Sequence, residues 1–273
     1  MRKHLLFYAA LLLCTPILGA PQVTPDISGI DGALDQALQG SWRDSVNVAR
    51  DQYRHPKQTL EFFGLTPNMT VVQLWPGTGW YTQILAPVLR DHGQLIDAAV
   101  PAKGDPESDG TVKYLAMLKR NPEIYGKLKV VDFSPPAKTD LGPDGSADMV
   151  LTFRNLHNWQ SRGLLNKVFQ AVFKVLKHGG VLGVVEHRAA PGKSVAQVFK
   201  TGYMPVDYVI QEAEKAGFRL VGQSEINANP KDTKDHPRGV WTLPPTYAEG
   251  DADHAKYHAI GESDRMTLKF VKP

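Results

Sequence analysis

The stretch VVQLWPGTGWYT, residues 71–82, decides the fold. Thr70 to Leu74 is a short β-branched run, Pro76-Gly77-Thr78-Gly79 is a turn, and a helical pattern continues through Leu89. Strand, glycine turn and helix in that order form the first unit of an α/β sheet. The alternation continues outward. Leu95 to Val100, Leu128 to Phe133, Ala147 to Phe153 and Val181 to Glu186 read as further buried strands, and Val112 to Leu118, Leu164 to Leu176 and Val206 to Ala216 read as the helices among them. Such a rhythm predicts a parallel sheet covered on both faces.

Upstream, a polar linker to about Ile30 precedes two helical stretches, Asp31 to Gln39 and Pro56 to Phe63. Pro56 suits a first helical position and Gly64 a stop. Downstream the rhythm breaks. Phe218 to Ser224 reads as a strand, a polar loop of about 40 residues follows, and Met266 to Val271 alternates like a last strand. Strands joined without a crossover helix are expected to pair antiparallel or to sit apart.

The chain has 273 residues, 42% hydrophobic and 22% charged, with a formal charge of +3. This is a globular composition, not a disordered or fibrous one. Arg2 and Lys3, the apolar stretch Leu5 to Leu13, Pro16 and the small exit residues Gly19 and Ala20 read as an export signal over residues 1–20, which predicts a periplasmic or otherwise exported protein. The apolar run falls short of the roughly 20 residues that span a membrane. Removing residues 1–20 leaves 253 residues and a charge of +1, so the basic excess typical of a nucleic-acid binder is gone. Cys14 is the only cysteine and lies inside that segment, which excludes disulfides and thiolate metal sites from the mature chain. A lipoprotein reading of Cys14 is disfavoured by the large Leu13 before it.

The glycine turn is where chemistry enters. In open α/β sheets, ligands bind beyond the carboxyl ends of the strands, where backbone N–H groups are free. VVQLWPGTGWYT resembles the first motif of the class I S-adenosylmethionine-dependent methyltransferases. ADMVLTFRNLHNW, residues 147–159, resembles their strand 4 motif, and FKVLKHGGVLGVVEHRAAP, residues 173–191, their helix, turn and strand 5. A narrower resemblance, to the exported predicted methyltransferases of bacteria, rests on four blocks in order. They are YRHPKQTLEFFGLTPNMTVVQLWPGTGWYTQILAP (53–87), TFRNLHNW (152–159), EINANPKDTKDHPRGVWTLPP (225–245) and ESDRMTLKFVKP (262–273). The resemblance implies a Rossmann-like class I methyltransferase fold over residues 56–273. Its sheet would be seven-stranded and mostly parallel with an antiparallel last strand, and residues 21–55 would be a linker and helical lid.

It also implies S-adenosyl-L-methionine as cofactor, touched by Trp75, Gly77, Thr78, Gly79, Asp132 and Asn155. Asp132 matches the position that binds adenine, although a strand-end acid capping a turn reads the same way. Two departures stand out. Trp75 replaces the first glycine of the usual motif, and Gln73 replaces the acid that usually ends the first strand. The acid expected for the ribose hydroxyls, near Ala99 and Val100, is missing, and Asp97 lies two or three positions early.

Polar residues gather at the strand ends. His157 in LHNW resembles the base of small-molecule O-methyltransferases, and Glu186, His187 and His236 are further acid–base candidates. Capping of the next helix is the bland reading of His157. Arg54, His55, Arg154, Arg238 and Trp241 are the candidate substrate contacts, for a small molecule. A metal reading combines His157, His187 and His236 with Glu186 or Asp235, without the short spacing of a strong motif. S-adenosylmethionine is made in the cytosol, so an exported chain calls for a second expectation. It is the same fold turned to a metal-dependent or cofactor-free enzyme, or to a small-molecule binding protein.

Overall fold

Val71 and Val72 point to opposite faces of one strand and both are wholly buried, so the sheet that begins there is covered on both sides. The computed structural model describes residues 27–102 and 108–273. Residues 1–20, expected to be an export signal, with Cys14, and the start of the expected linker lie outside them. Seven strands form one sheet: β1 (Thr70–Leu74), β2 (Gln94–Ala99), β3 (Lys129–Asp132), β4 (Ala147–Phe153), β5 (Leu176–His187), β6 (Arg219–Ser224) and β7 (Arg265–Val271). Their order is β3-β2-β1-β4-β5-β7-β6. β1 to β5 are parallel, and β7 runs antiparallel between β5 and β6.

Each face has its own core. On one, Val72, Val150, Leu182 and Phe270 pack with Val168, Phe169 and Val172 of the helix Leu165–Val175, whose apolar residues recur every three or four positions. On the other, Val71, Met149, Leu151 and Val185 pack with Leu34, Leu60 and Ile84, one from each of the helices Ile27–Leu38, Pro56–Phe63 and Thr82–Leu89. Pro56 does open its helix, and Gly64 closes it at φ +82° with the Leu65 amide donating to the Leu60 carbonyl. Between the first two of these helices lie two short ones, Ser45–Val48 and Asp51–Arg54, within the segment expected to be a linker and helical lid. Trp42 Nε1 donates to the Gln83 carbonyl, and Trp80 Nε1 to that of Asn47, so this segment is tied to the helix after the glycine turn.

The long loop after β6 is also more structured than its sequence indicates. It holds a 3-10 turn, Gly239–Thr242, and a helix, His254–Ile260, whose one buried residue, Tyr257, is too weak a period to read. Among the described residues no helix is long and apolar enough to cross a membrane.

Candidate active site

The strand order reverses direction between β1 and β4, which opens a crevice at their carboxyl ends. A cleft of about 520 Å³ lies there, lined by Gly77 and Thr78 of the turn, Asn155 and His157 after β4, His187 at the end of β5, and Trp241 of the loop. Arg50 enters from the turn between the two short N-terminal helices and Arg54 from the end of the second, while Glu262 and Ser263 just precede β7 and Arg265 opens it.

Glu186 is the anchor of this edge. Its wholly buried carboxylate accepts from the Leu156 amide (2.6 Å) and the His157 amide (3.3 Å) through one oxygen. The other oxygen takes the His187 amide (2.8 Å) and His157 Nδ1 (3.0 Å). Both oxygens already accept backbone N–H groups, one of them two at the first turn of the helix Leu156–Ser161, so Nδ1 of His157 is the donor in the remaining contact. Nε2 is then the acceptor nitrogen of a ring that lines the cleft. His187 stands with its ring centroid 5.3 Å away and Nδ1 at 2.5 Å from Ser263 Oγ. Burial first, then the charges of His157, Arg265, Arg154 and Arg54, hold its pKa well below the ordinary value, so it is neutral.

His157, Glu186 and His187 do bring three potential ligand atoms within 4.8 Å of one another. Four hydrogen bonds already occupy the four lone-pair directions of Glu186, however, and His187 Nδ1 is engaged by Ser263. His236 is not among the cleft residues: Asp232 holds its Nε2 at 2.9 Å and Tyr257 packs on its ring. The donor set of the metal reading is therefore brought together only in part, as His157, Glu186 and His187 without His236.

Beside the histidines, Glu262 gathers arginines. Arg50 Nε lies 2.5 Å from one oxygen, Arg54 Nε 3.1 Å from the other, Arg265 is bonded to the same oxygen as Arg54, and Arg154 Nη1 is 3.9 Å from it. Burial would raise the Glu262 pKa, but Arg265, Arg54, Arg154 and Arg50 override it and hold the carboxyl well below its usual range. Burial lowers the pKa of Arg154 to about 10, with the repulsion of Arg265 second. Arg54 is only 3% exposed and its guanidinium lies 4.6 Å from the Trp80 ring centroid.

On the β2 side the crevice is closed. Trp75, at φ +44°, donates Nε1 to the Phe133 carbonyl (3.0 Å) and sets its ring edge-on to Trp159, 4.9 Å away. Between Trp75, Gly77, Ala99 and Val100 only about 60 Å³ remains, room for about two waters. Gly77, at φ +61°, faces open space, whereas a side chain on Gly79 would strike Met117 and Tyr114. Asn155 uses its amide to tie the strand ends, donating to the Leu74 carbonyl (3.0 Å). Asp132 is engaged by Ser134 and Lys138, and lines neither space.

Asp97 points away from the crevice, into the core, where Thr82 (2.8 Å) and Tyr114 (2.5 Å) donate to it. Burial pushes its pKa up to about 7, against those two hydrogen bonds. The unfolded chain loses this proton near 3.8 and the fold retains it, so stability falls as pH rises from about 4 to about 7. Asp97→Asn removes that slope: between pH 4.5 and 7.5 its stability relative to wild type is expected to improve by on the order of a few kcal/mol. Urea denaturation at both pH values measures it, and parallel pH profiles would refute it.

The remaining candidates scatter. Arg238 pairs with Glu249 on the surface at 3.2 Å, and His55 is half-buried outside the cleft. Trp241 is at the cleft, edge-on to His157 at 5.9 Å. Sequence reasoning missed Arg50, Glu262 and Arg265. The signal was present: an antiparallel last strand begins at the edge where the parallel strands end, which puts ESDR, residues 262–265, there.

No family model matches the chain, and no curated protein matches its sequence. Solved structures match its fold. A SAM dependent methyltransferase from Aquifex aeolicus aligns over 82% of this chain and 93% of its own, at 15% identity and TM-score 0.55. The [4+2]-cyclase SpnF aligns over 90% and 96%, at 16% identity and TM-score 0.57. Geranyl diphosphate C-methyltransferase from Streptomyces coelicolor A3(2), in complex with Mg2+, geranyl diphosphate and S-adenosyl-L-homocysteine, aligns over 87% of each chain, at 12% identity and TM-score 0.51. The chain thus has the Rossmann-like fold of the class I S-adenosylmethionine-dependent methyltransferases, with its seven-stranded sheet.

Proposed function

We propose that the chain is a small-molecule enzyme of the methyltransferase fold in which His157 removes a proton from the substrate. The Glu186–His157 pair carries this reading. A buried carboxylate that fixes Nδ1–H leaves Nε2 as the base nitrogen of a ring that lines the cleft and stabilises the imidazolium once the proton arrives. Neutral His187 does not compete as a cation, and the arginines beside Glu262 favour negative charge developing on the substrate. Fold alone does not fix the reaction.

Trp75 fills the β2 side, no carboxylate ends β2, and Asp132 is engaged elsewhere, so the described residues do not fit the nucleoside of S-adenosylmethionine. Methyl transfer from S-adenosylmethionine is the second reading, favoured by the fold and by Gly77, whose missing side chain leaves open space beside the turn. Export, read at residues 1–20, belongs to both readings.

Calorimetry with mature protein separates them: no heat is expected from S-adenosylmethionine at millimolar concentration, and stoichiometric binding would turn the conclusion to the second reading. Diethylpyrocarbonate with mass spectrometry tests the base without a known substrate. His157 is expected to react through Nε2, and an inert His157 beside reactive surface histidines would refute the role. On an identified substrate, His157→Ala is expected to lower turnover about 10²-fold to 10⁴-fold with binding intact.

A further inference from the structure

The cleft floor holds more positive charge than its own fold needs. Four guanidinium groups, from Arg50, Arg54, Arg154 and Arg265, meet one carboxylate, and Glu262 is the only carboxylate with which any of them forms an ion pair among the described residues. Like charges buried together repel, and a fold tolerates this where a counter-charge is to arrive. Arg154 is the least satisfied. Its guanidinium makes no hydrogen bond to the described residues, and its nearest ion-pair contact is 3.9 Å away. Its backbone is also held at φ +61°, a conformation that a residue with a Cβ rarely adopts, by the bond from its amide to the Val185 carbonyl (2.7 Å). Strain of this kind collects where a side chain must be aimed.

We propose that Arg54, Arg154 and the neighbouring Arg50 and Arg265 bind the charged end of a small dianionic substrate, a phosphate monoester or a dicarboxylate. The inference rests on the reading that this cleft takes the substrate, and it adds the substrate's chemical class. Guanidinium forks match the paired oxygens of both groups, and three uncompensated charges suit a dianion better than a monoanion. The anion end would sit against the β7 side of the cleft, with the rest of the molecule reaching past His157 toward Trp241, which also lines the cleft. Gly77, another residue lining the cleft, faces open space.

Titration calorimetry in an amine buffer at pH 7.5 tests this, with inorganic phosphate and malonate as probes and sodium chloride at matched ionic strength as the blank. One equivalent of at least one probe is expected to bind above the chloride blank. Preference for phosphate assigns a phosphate monoester, and preference for malonate a dicarboxylate. Arg154→Asn, which keeps a residue tolerant of the left-handed conformation, is expected to weaken that binding about tenfold or more. Arg50→Gln, at the cleft rim, is a second variant that leaves three arginines on Glu262 and is expected to weaken binding in the same direction. His157→Ala is expected to bind the probe as the wild type does, so failure of the base and failure of the anion site are read separately. Absence of heat from both probes, or binding unchanged in both arginine variants, would overturn the proposal.

Discussion

Glu186→Ala is expected to lower stability by about 3–5 kcal/mol, the range for removing one partner from a buried charged contact. The carboxylate is wholly buried and accepts three backbone amides and one imidazole N–H. Its loss leaves the Leu156, His157 and His187 amides facing a cavity, each with the desolvation penalty of an unmade hydrogen bond. The damage should be local before it is global. Leu156 and Trp159 of the short helix belong to the core over β4, so the helix would fray first and loosen that face. Guanidinium denaturation followed by circular dichroism gives the stability, and hydrogen exchange at the three amides gives the locality. Glu186→Gln is expected to cost less, since one amide oxygen still accepts, but its NH₂ must face an N–H donor. A loss under about 1 kcal/mol for the alanine variant would mean that Glu186 does not anchor the helix. It would also remove the orienting group from beneath His157.

Most of the fold was legible because its signals are local. β1 and β4 begin and end where the β-branched and apolar runs do, and the glycine turn is where the glycines put it. Strand ends elsewhere moved by a residue or two, and β5 began five residues early, because Leu176 pairs with Ala147 across an irregular register that no local pattern encodes. The site was legible only in part. Residues next to a strand end in sequence, such as Arg154, His157 and His187, were placed correctly at the carboxyl edge. Residues that reach it through tertiary packing were not. Arg50 lies in the turn between two four-residue helices, and Glu262 arrives through the reversed direction of β7. His236 shows the converse: the loop after β6 begins at the right edge, but Asp232 turns the imidazole away from it. What Trp75 does was likewise invisible from the motif alone, because its partner is the carbonyl of Phe133, 58 positions on.

Removing the charge of Glu262 is the sharper perturbation of the arginine cluster. Glu262→Gln keeps the shape of the side chain but leaves Arg50, Arg54, Arg154 and Arg265 with no ion-pair partner among the described residues. A loss of about 3–5 kcal/mol is expected at low ionic strength. The pH dependence has a definite sign. The folded carboxyl titrates well below its ordinary value of 4.5, so its stabilisation is present above 4.5 and is lost as pH falls from there toward the folded pKa. Wild-type stability should therefore drop on the acid side of about pH 4.5, and Glu262→Gln should lack that part of the drop. Anions supply the complementary test. Inorganic phosphate at millimolar concentration is expected to raise the melting temperature of Glu262→Gln more than chloride of equal ionic strength does, because a bound dianion replaces the missing charge directly while salt only screens it. Equal effects of the two salts would mean that the four guanidiniums are relieved by solvent, and that the cluster is a structural knot without a ligand to recognise.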